Sequence, residues 1–246
     1  MGLGLIGLKF KSFLLVLLSF KWIFLGGKIA LGFFASLWLY AVLYGWQLGV
    51  VVVLLILVHE LGHLFVLRGL GVDASLPYFI PGLGAFIAQK GATANAVQDA
   101  AVALAGPVAG ILAAGLCQAY GVATGSTFWI VAAHFGYLLN LFNLIPTLPF
   151  DGGRVAGTID PRLWMLGLAV FILYVVFWWG LNRPLAWVFL LIVCAVSIPR
   201  AIAAWRGNVD PRVRQIPPAM RTVIAFCYLL TIAVAALAMA STQVRL

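Results

Sequence analysis

Charge is what this chain has least of. Asp, Glu, Lys and Arg make up 9% of its 246 residues, against about 25% in soluble globular proteins. A soluble fold of this size could not cover its surface with so few charges, so an ordinary water-soluble domain is excluded. Cysteine is scarce too. Cys117, Cys194 and Cys227 lie within apolar runs and none forms CxxC, so neither a disulfide framework nor a cysteine zinc site is implied. They read as small buried hydrophobes. The net charge of +9 does not point to nucleic acid. The basic residues fall between apolar runs, no basic patch has interleaved aromatics, and no nucleic-acid motif occurs.

What is abundant is apolar sequence, 65% of the chain. Residues 29–58, 163–182, 184–199 and 222–244 carry no charge, and 100–150 carry none apart from His134. A helix needs about 20 apolar residues to cross the hydrocarbon core. The expected fold is therefore an all-α polytopic membrane protein with about seven transmembrane helices. The runs place them at 28–46, 47–69, 100–121, 127–147, 163–181, 184–204 and 221–241. Gly45, the 121–126 stretch and Arg183–Pro184 mark turns between paired spans. Residues 1–27 mix Lys9, Lys11 and Lys21 with Leu, Phe and Trp, as an interfacial or re-entrant segment would. Alternating seven spans puts every Lys and Arg inside except Arg183 and Arg245, a strong positive-inside bias. Residues 200–221, with five Arg, Asp210 and three Pro, read as a solvated basic loop on the cytoplasmic side. A lipid-headgroup site is the alternative reading.

The chemistry begins at His59-Glu60-Leu61-Gly62-His63, an HExxH motif. Residues i and i+4 share a helix face, so both imidazoles can reach one ion. Glu60 stands beside them and can take a proton from an attacking water. Zinc suits two imidazoles plus a carboxylate, with one position open. The motif lies within a span, where ionisable groups are costly and usually functional. If Arg68 marks the inner interface, His63 lies about 7–8 Å deeper and His59 about 13–14 Å deeper.

The third ligand must come from elsewhere. Asp73 and Asp99 lie in a loop, and Asp160 and Asp210 adjoin Pro-rich loop sequence. Asp151 is the acidic residue near the end of the 127–147 run. There the chain reads Asn143-Leu-Ile-Pro146-Thr-Leu-Pro149-Phe-Asp151-Gly152-Gly153-Arg154. The prolines break the helix, freeing backbone groups that are tolerated only against protein or a water-filled cavity. The glycines let the backbone turn closely behind the carboxylate.

HExxH in one span followed by NxxPxxPxDGG at the end of a later one resembles the paired signature of the site-2 protease family. The resemblance runs from about residue 28 to about residue 160. It includes Ala105-Gly106-Pro107 and the loop from Pro77 to Ile87. It implies an intramembrane zinc metalloprotease that hydrolyses peptide bonds in or near transmembrane segments of membrane-protein substrates. One Zn2+ would be held by His59, His63 and Asp151, with Glu60 as general base and Asn143 binding the scissile carbonyl or its oxyanion. The segment 77–90 reads as an ordinary apolar loop or as a hairpin about Pro81-Gly82. The resemblance favours a membrane-associated strand pair that aligns substrate.

Other polar residues have quieter readings. Asn140 suits an interhelical hydrogen bond, His134 a core or gating role, and Arg154 an anchor for the Asp151 loop. Gly106, Gly110 and Ala114 recur at helix-packing spacing. The chain thus divides into the N-terminal segment 1–27, a catalytic transmembrane core 28–160 and further transmembrane helices 161–246. Its partners are a transmembrane substrate and the lipid bilayer. Its expected place is the plasma membrane, with the site opening to the cytoplasm. A metal carrier with the same ligands would not need Glu60 or Asn143, and the intact signature argues against an inactive scaffold.

Overall fold

The computed structural model describes residues 23–179 and 184–242. The expected segment 1–27 lies almost wholly outside them. Two helices, α1 (Ile23–Tyr44) and α2 (Trp46–Gly69), are followed by strands β1 (Tyr78–Ile80) and β2 (Gly84–Phe86). Next come α3 (Ala96–Thr124), α4 (Thr127–Asn143) and the short α5 (Asp151–Ile159). Helix α6 (Leu163–Tyr174) runs into a π-helical turn at Val175–Trp179. Then follow α7 (Pro184–Trp205), α8 (Pro211–Arg214) and α9 (Pro218–Ser241).

The expectation of about seven transmembrane helices does not hold. Among the described residues, four helices are long and apolar enough to cross a membrane: Trp46–Gly69, Ala96–Thr124, Ala186–Trp205 and Pro218–Ser241. Two of the other three expected spans fall short because an apolar run is not a helix of equal length. The 127–147 run yields a helix of 17 residues, ended by the turn at Leu144. That is about 25 Å of rise, against a hydrocarbon core of about 30 Å. The 163–181 run yields 12 α-helical residues before the π turn. In α1 the apolar helix found among the described residues is Ile29–Tyr44. The four long helices mark an integral membrane protein, and shorter apolar helices pack among them.

Local signals set the element ends. Asn95 caps α3, its side chain accepting from the Gln98 N–H at 2.9 Å, while Gln98 Oε1 accepts from the Ala94 N–H at 3.0 Å. This reciprocal cap starts α3 four residues ahead of the span drawn from hydropathy. Gly125 ends it in a left-handed conformation, φ 66°, which glycine adopts without steric cost.

The core is a layered helical bundle. Helix α3 packs on α2 and on α4, and α9 covers α3, α4 and α5. One apolar cluster joins Ala103, Ile111, Tyr137, Leu144, Val155 and Tyr228. A second joins Phe150, from the turn before α5, to Leu168, Phe171 and Val193 of α6 and α7. A third seats Phe79 of β1 against Val52, Val53 and Ile56 of α2. The segment 77–90 is a hairpin rather than a plain loop: β1 and β2 pair antiparallel, with Phe79 opposite Ala85.

Several of the described charged side chains gather at one end of the bundle, near the start of α3 and the end of α5. Arg154 bonds Asp99 at 3.2 Å. Arg212 donates to the Thr93 carbonyl, Arg221 to those of Ile159 and Val213, and Arg162 stacks over Trp205. The hydrogen bonds from Arg212 hold the Asp210 carboxyl below the usual carboxylate range. Residues 200–221 are not simply a solvated loop. Helix α7 extends to Trp205, and Val213 and Ile216 bury themselves against Ala96.

Candidate metal centre

Helix α2 carries His59, Glu60 and His63 on its inward face, 3%, 6% and 7% exposed. The spacing i, i+4 brings the two rings together edge to face, with centroids 4.9 Å apart and planes at 80°. Asp151 arrives from the opposite side, in the first turn of α5. Its approach depends on two glycines. A Cβ on Gly152 would strike the Leu144 carbonyl, and one on Gly153 would strike the backbone of Thr147. Only a residue without a side chain lets α5 fold back on its own entry turn.

Three ligand atoms meet. His59 Nε2 and His63 Nε2 each lie 3.1 Å from Asp151 Oδ2 and 3.2 Å from each other. Around a tetrahedral zinc with bonds of about 2.0–2.1 Å, neighbouring ligand atoms stand about 3.3 Å apart. The triangle has that size, and these three residues could hold a single metal ion.

The tautomers agree. Val102 O, 2.7 Å from His63 Nδ1, can only accept, so that nitrogen carries the proton. Asn140 Nδ2 donates to Gly136 O at 2.7 Å, which leaves its Oδ1 to accept from His59 Nδ1 at 2.8 Å. In the neutral rings both Nε2 atoms then present lone pairs towards an anionic oxygen. Three acceptors facing one point repel unless a cation lies between them, and the outer bonds fix the ring orientation a metal requires.

Space for this arrangement is carved from α3. A Cβ on Gly106 would fall on the His63 ring, and one on Gly110 on the Asn140 amide. The small-residue spacing read as helix packing therefore also makes room for the site. Gly62 lets α2 approach α3 at the Ala105 carbonyl.

Residues 47–127 match peptidase family M50. The matched segment holds His59, Glu60 and His63, the Gly106 and Gly110 clearances and Val102. It covers about a third of the chain and ends before Asn140, Asn143 and Asp151. No curated protein matches the chain.

Beyond the M50-like segment, the two asparagines of α4 differ. The interhelical bond expected of Asn140 exists, and its partner is His59, a link that hydropathy and spacing gave no way to foresee. Asn143 is one turn further along, near the end of α4. Its amide donates to Leu139 O in its own helix at 3.2 Å. His134 stands apart from the metal cluster, bonded to Thr242 at 2.9 Å. Arg154 ties α5 to the first turn of α3 through Asp99. Glu60 is buried beside the cluster, close enough to interact electrostatically with His59, His63 and Asp151. A cavity of about 190 Å³ at the charged end is lined by Asp99, Arg154, Trp164 and Arg212 among others, and none of the three cluster residues lines it.

Proposed function

We propose that this chain is an intramembrane zinc metalloprotease of the site-2 type, cleaving peptide bonds in or near transmembrane segments of other proteins. The observation that carries the reading is the convergence of two imidazole lone pairs and one carboxylate within 3.1–3.2 Å of each other. Zinc fits this donor set, since two nitrogens and an oxygen are its usual protein ligands when a position is left open for chemistry. Held there, the ion would supply Lewis acidity to the scissile carbonyl.

The chain's own residues do the rest. Glu60, adjacent to His59 and buried beside the cluster, accepts the proton of the attacking water and returns it to the leaving amine. Asn143 supplies the oxyanion donor. An amide nitrogen carries two hydrogens, and Leu139 O takes one of Asn143's. A hydrogen bond to charge that develops only in the transition state accelerates the reaction. The β1–β2 hairpin offers extended backbone against which an unwound substrate segment could align by strand addition.

The gathering of Arg154, Arg162, Arg212 and Arg221 at one end supports a cytoplasmic orientation for that end in the plasma membrane. This support does not depend on the number of spans.

The test is co-expression with candidate single-span membrane proteins. Wild type should cleave a substrate that Glu60→Gln leaves intact, a loss of about 100- to 10,000-fold, while both hold one zinc per chain. Cleavage by Glu60→Gln at the wild-type rate would overturn the mechanism.

A further inference from the structure

Pro146 and Pro149 interrupt the chain between α4 and α5, and carbonyls there lose their helical partners. Among the described residues, no backbone N–H outside the helices reaches Leu144 O or Leu148 O. Both oxygens are nevertheless taken. Tyr228 of α9 donates its phenol to Leu144 O at 2.5 Å, in a buried bond. Ser197 of α7 donates to Leu148 O at 2.5 Å. Thr147 Oγ1 lies 2.9 Å from the Ser197 oxygen. With the Ser197 proton already directed at Leu148, the Thr147 hydroxyl is the donor there. On the other side of Asp151, Trp164 of α6 donates its indole N–H to Gly153 O at 2.7 Å.

Packing repeats the pattern. Phe150, the residue before Asp151, sits in a cluster with Leu168, Phe171, Ala186 and Val193. Helix α6 meets the turn backbone to backbone, since a Cβ on Gly167 would strike the Pro146 carbonyl. Phe142 of α4 also meets the Phe150 ring, with centroids 4.8 Å apart, but the three donors and the Gly167 contact all come from beyond residue 160. The histidines have no such need, because an unbroken helix already fixes their spacing.

We propose that Tyr228, Ser197 and Trp164 are positioning residues for Asp151, and that α6, α7 and α9 together form a clamp holding the third ligand within reach of His59 and His63. The inference rests on the reading of His59, His63 and Asp151 as a metal centre. It gives the second half of the chain a task within the same site: Tyr228 and Ser197 satisfy carbonyls of the broken turn, Trp164 bonds the first turn of α5, and together they fix where Asp151 lies. Ligand sites tolerate displacements of about 0.5 Å before function declines, so a turn released at one carbonyl loosens the centre without removing a ligand.

The experiment uses the full chain in detergent, with Co2+ as the probe. Affinity and the visible ligand-field spectrum are measured for Tyr228→Phe, Ser197→Ala and Trp164→Phe. Tyr137→Phe is the matched control. It deletes a tyrosine hydroxyl in the same apolar cluster that bonds Gln118 instead of a turn carbonyl. Each clamp variant should weaken Co2+ binding about 10-fold, the low end for residues that support a metal ligand, and alter the spectrum. Tyr137→Phe should lower the melting temperature and leave both readouts unchanged. Wild-type affinity and spectrum in the clamp variants, or equal changes in Tyr137→Phe, would overturn the clamp. Should Tyr228→Phe fail to fold, Ser197→Ala, which removes one oxygen, decides. Asp151→Ala separates the two layers. If it binds Co2+ as wild type does, the metal-centre reading has failed. If it loses Co2+ while the clamp variants do not, the clamp alone has failed.

Discussion

His59 and His63 ride on an unbroken helix of 24 residues, whereas Asp151 opens a helix of nine residues behind a proline-broken turn. The first pair needs only the pitch of α2 to share a face, plus two outer acceptors, Val102 O and Asn140 Oδ1, to set the rings. The aspartate needs glycines that let the chain double back, a hydrophobic seat for Phe150 and donors from three other helices. A ligand pair written into one helix is robust to distant change. A ligand delivered by a turn depends on everything that holds the turn. The M50-like match, residues 47–127, covers the two histidines and Val102 and stops before Asn140 and Asp151.

Removing a ligand from either side is the severest way to break this comparison. His59→Ala and Asp151→Ala should both reduce zinc per purified chain to near zero, measured by elemental analysis. Full stoichiometry in both would end the assignment. The two asparagines of α4 sharpen it further. Asn143→Ala should lower turnover about 100- to 1000-fold and leave zinc content nearly unchanged. Asn140→Ala, which frees the His59 ring, should instead weaken metal affinity about 10- to 100-fold. A competition titration with a chelator reads the second effect and a cleavage assay the first. Zinc loss in Asn143→Ala together with normal affinity in Asn140→Ala would reverse the roles of the two asparagines.

Smaller effects belong to the surroundings. Gly106→Ala forces a methyl group onto the His63 ring and should cost about 1–3 kcal/mol of stability, seen as a lower melting temperature with reduced metal retention. Gly115→Ala, on the same helix, meets nothing closer than the Tyr137 hydroxyl at 3.5 Å and should be neutral. Equal losses in both would mean that α3 dislikes any added methyl, and that Gly106 has no special relation to His63. The least effect is expected at the charged end. The Arg154–Asp99 pair is about one-third exposed on each side, so Arg154→Ala should cost at most about 1 kcal/mol. A large loss of zinc in that variant would place Arg154 among the residues that hold Asp151.

Much of the site is legible without the fold. The HExxH spacing carries its own geometry, and Asp151 stands out because acidic residues are so few. The role of Gly152 and Gly153 follows from the prolines before them. What stays hidden in the sequence are contacts across helices. Asn140 looks like one more polar residue able to bridge helices, and that its bridge ends on His59 depends on how α4 lies against α2. Gly106 and Gly110 read as packing residues because sequence spacing does not show what faces them. The span count fails for a related reason: hydropathy counts apolar residues, and membrane crossing requires unbroken helical rise.

By itself, the sequence determined that this chain is built for a membrane, that two histidines share one helix face with a glutamate beside them, and that an isolated aspartate follows a proline-broken turn. These follow from composition and from patterns local to a few residues. Only the tertiary structure decided that Asp151 meets the histidines at metal-binding distance, that Asn140 and Val102 orient the rings, and that Tyr228 and Ser197 bind the broken turn while Trp164 bonds the start of α5. Each of these joins residues on different elements, many of them distant in sequence. Such meetings are set by how helices pack, which no local pattern encodes.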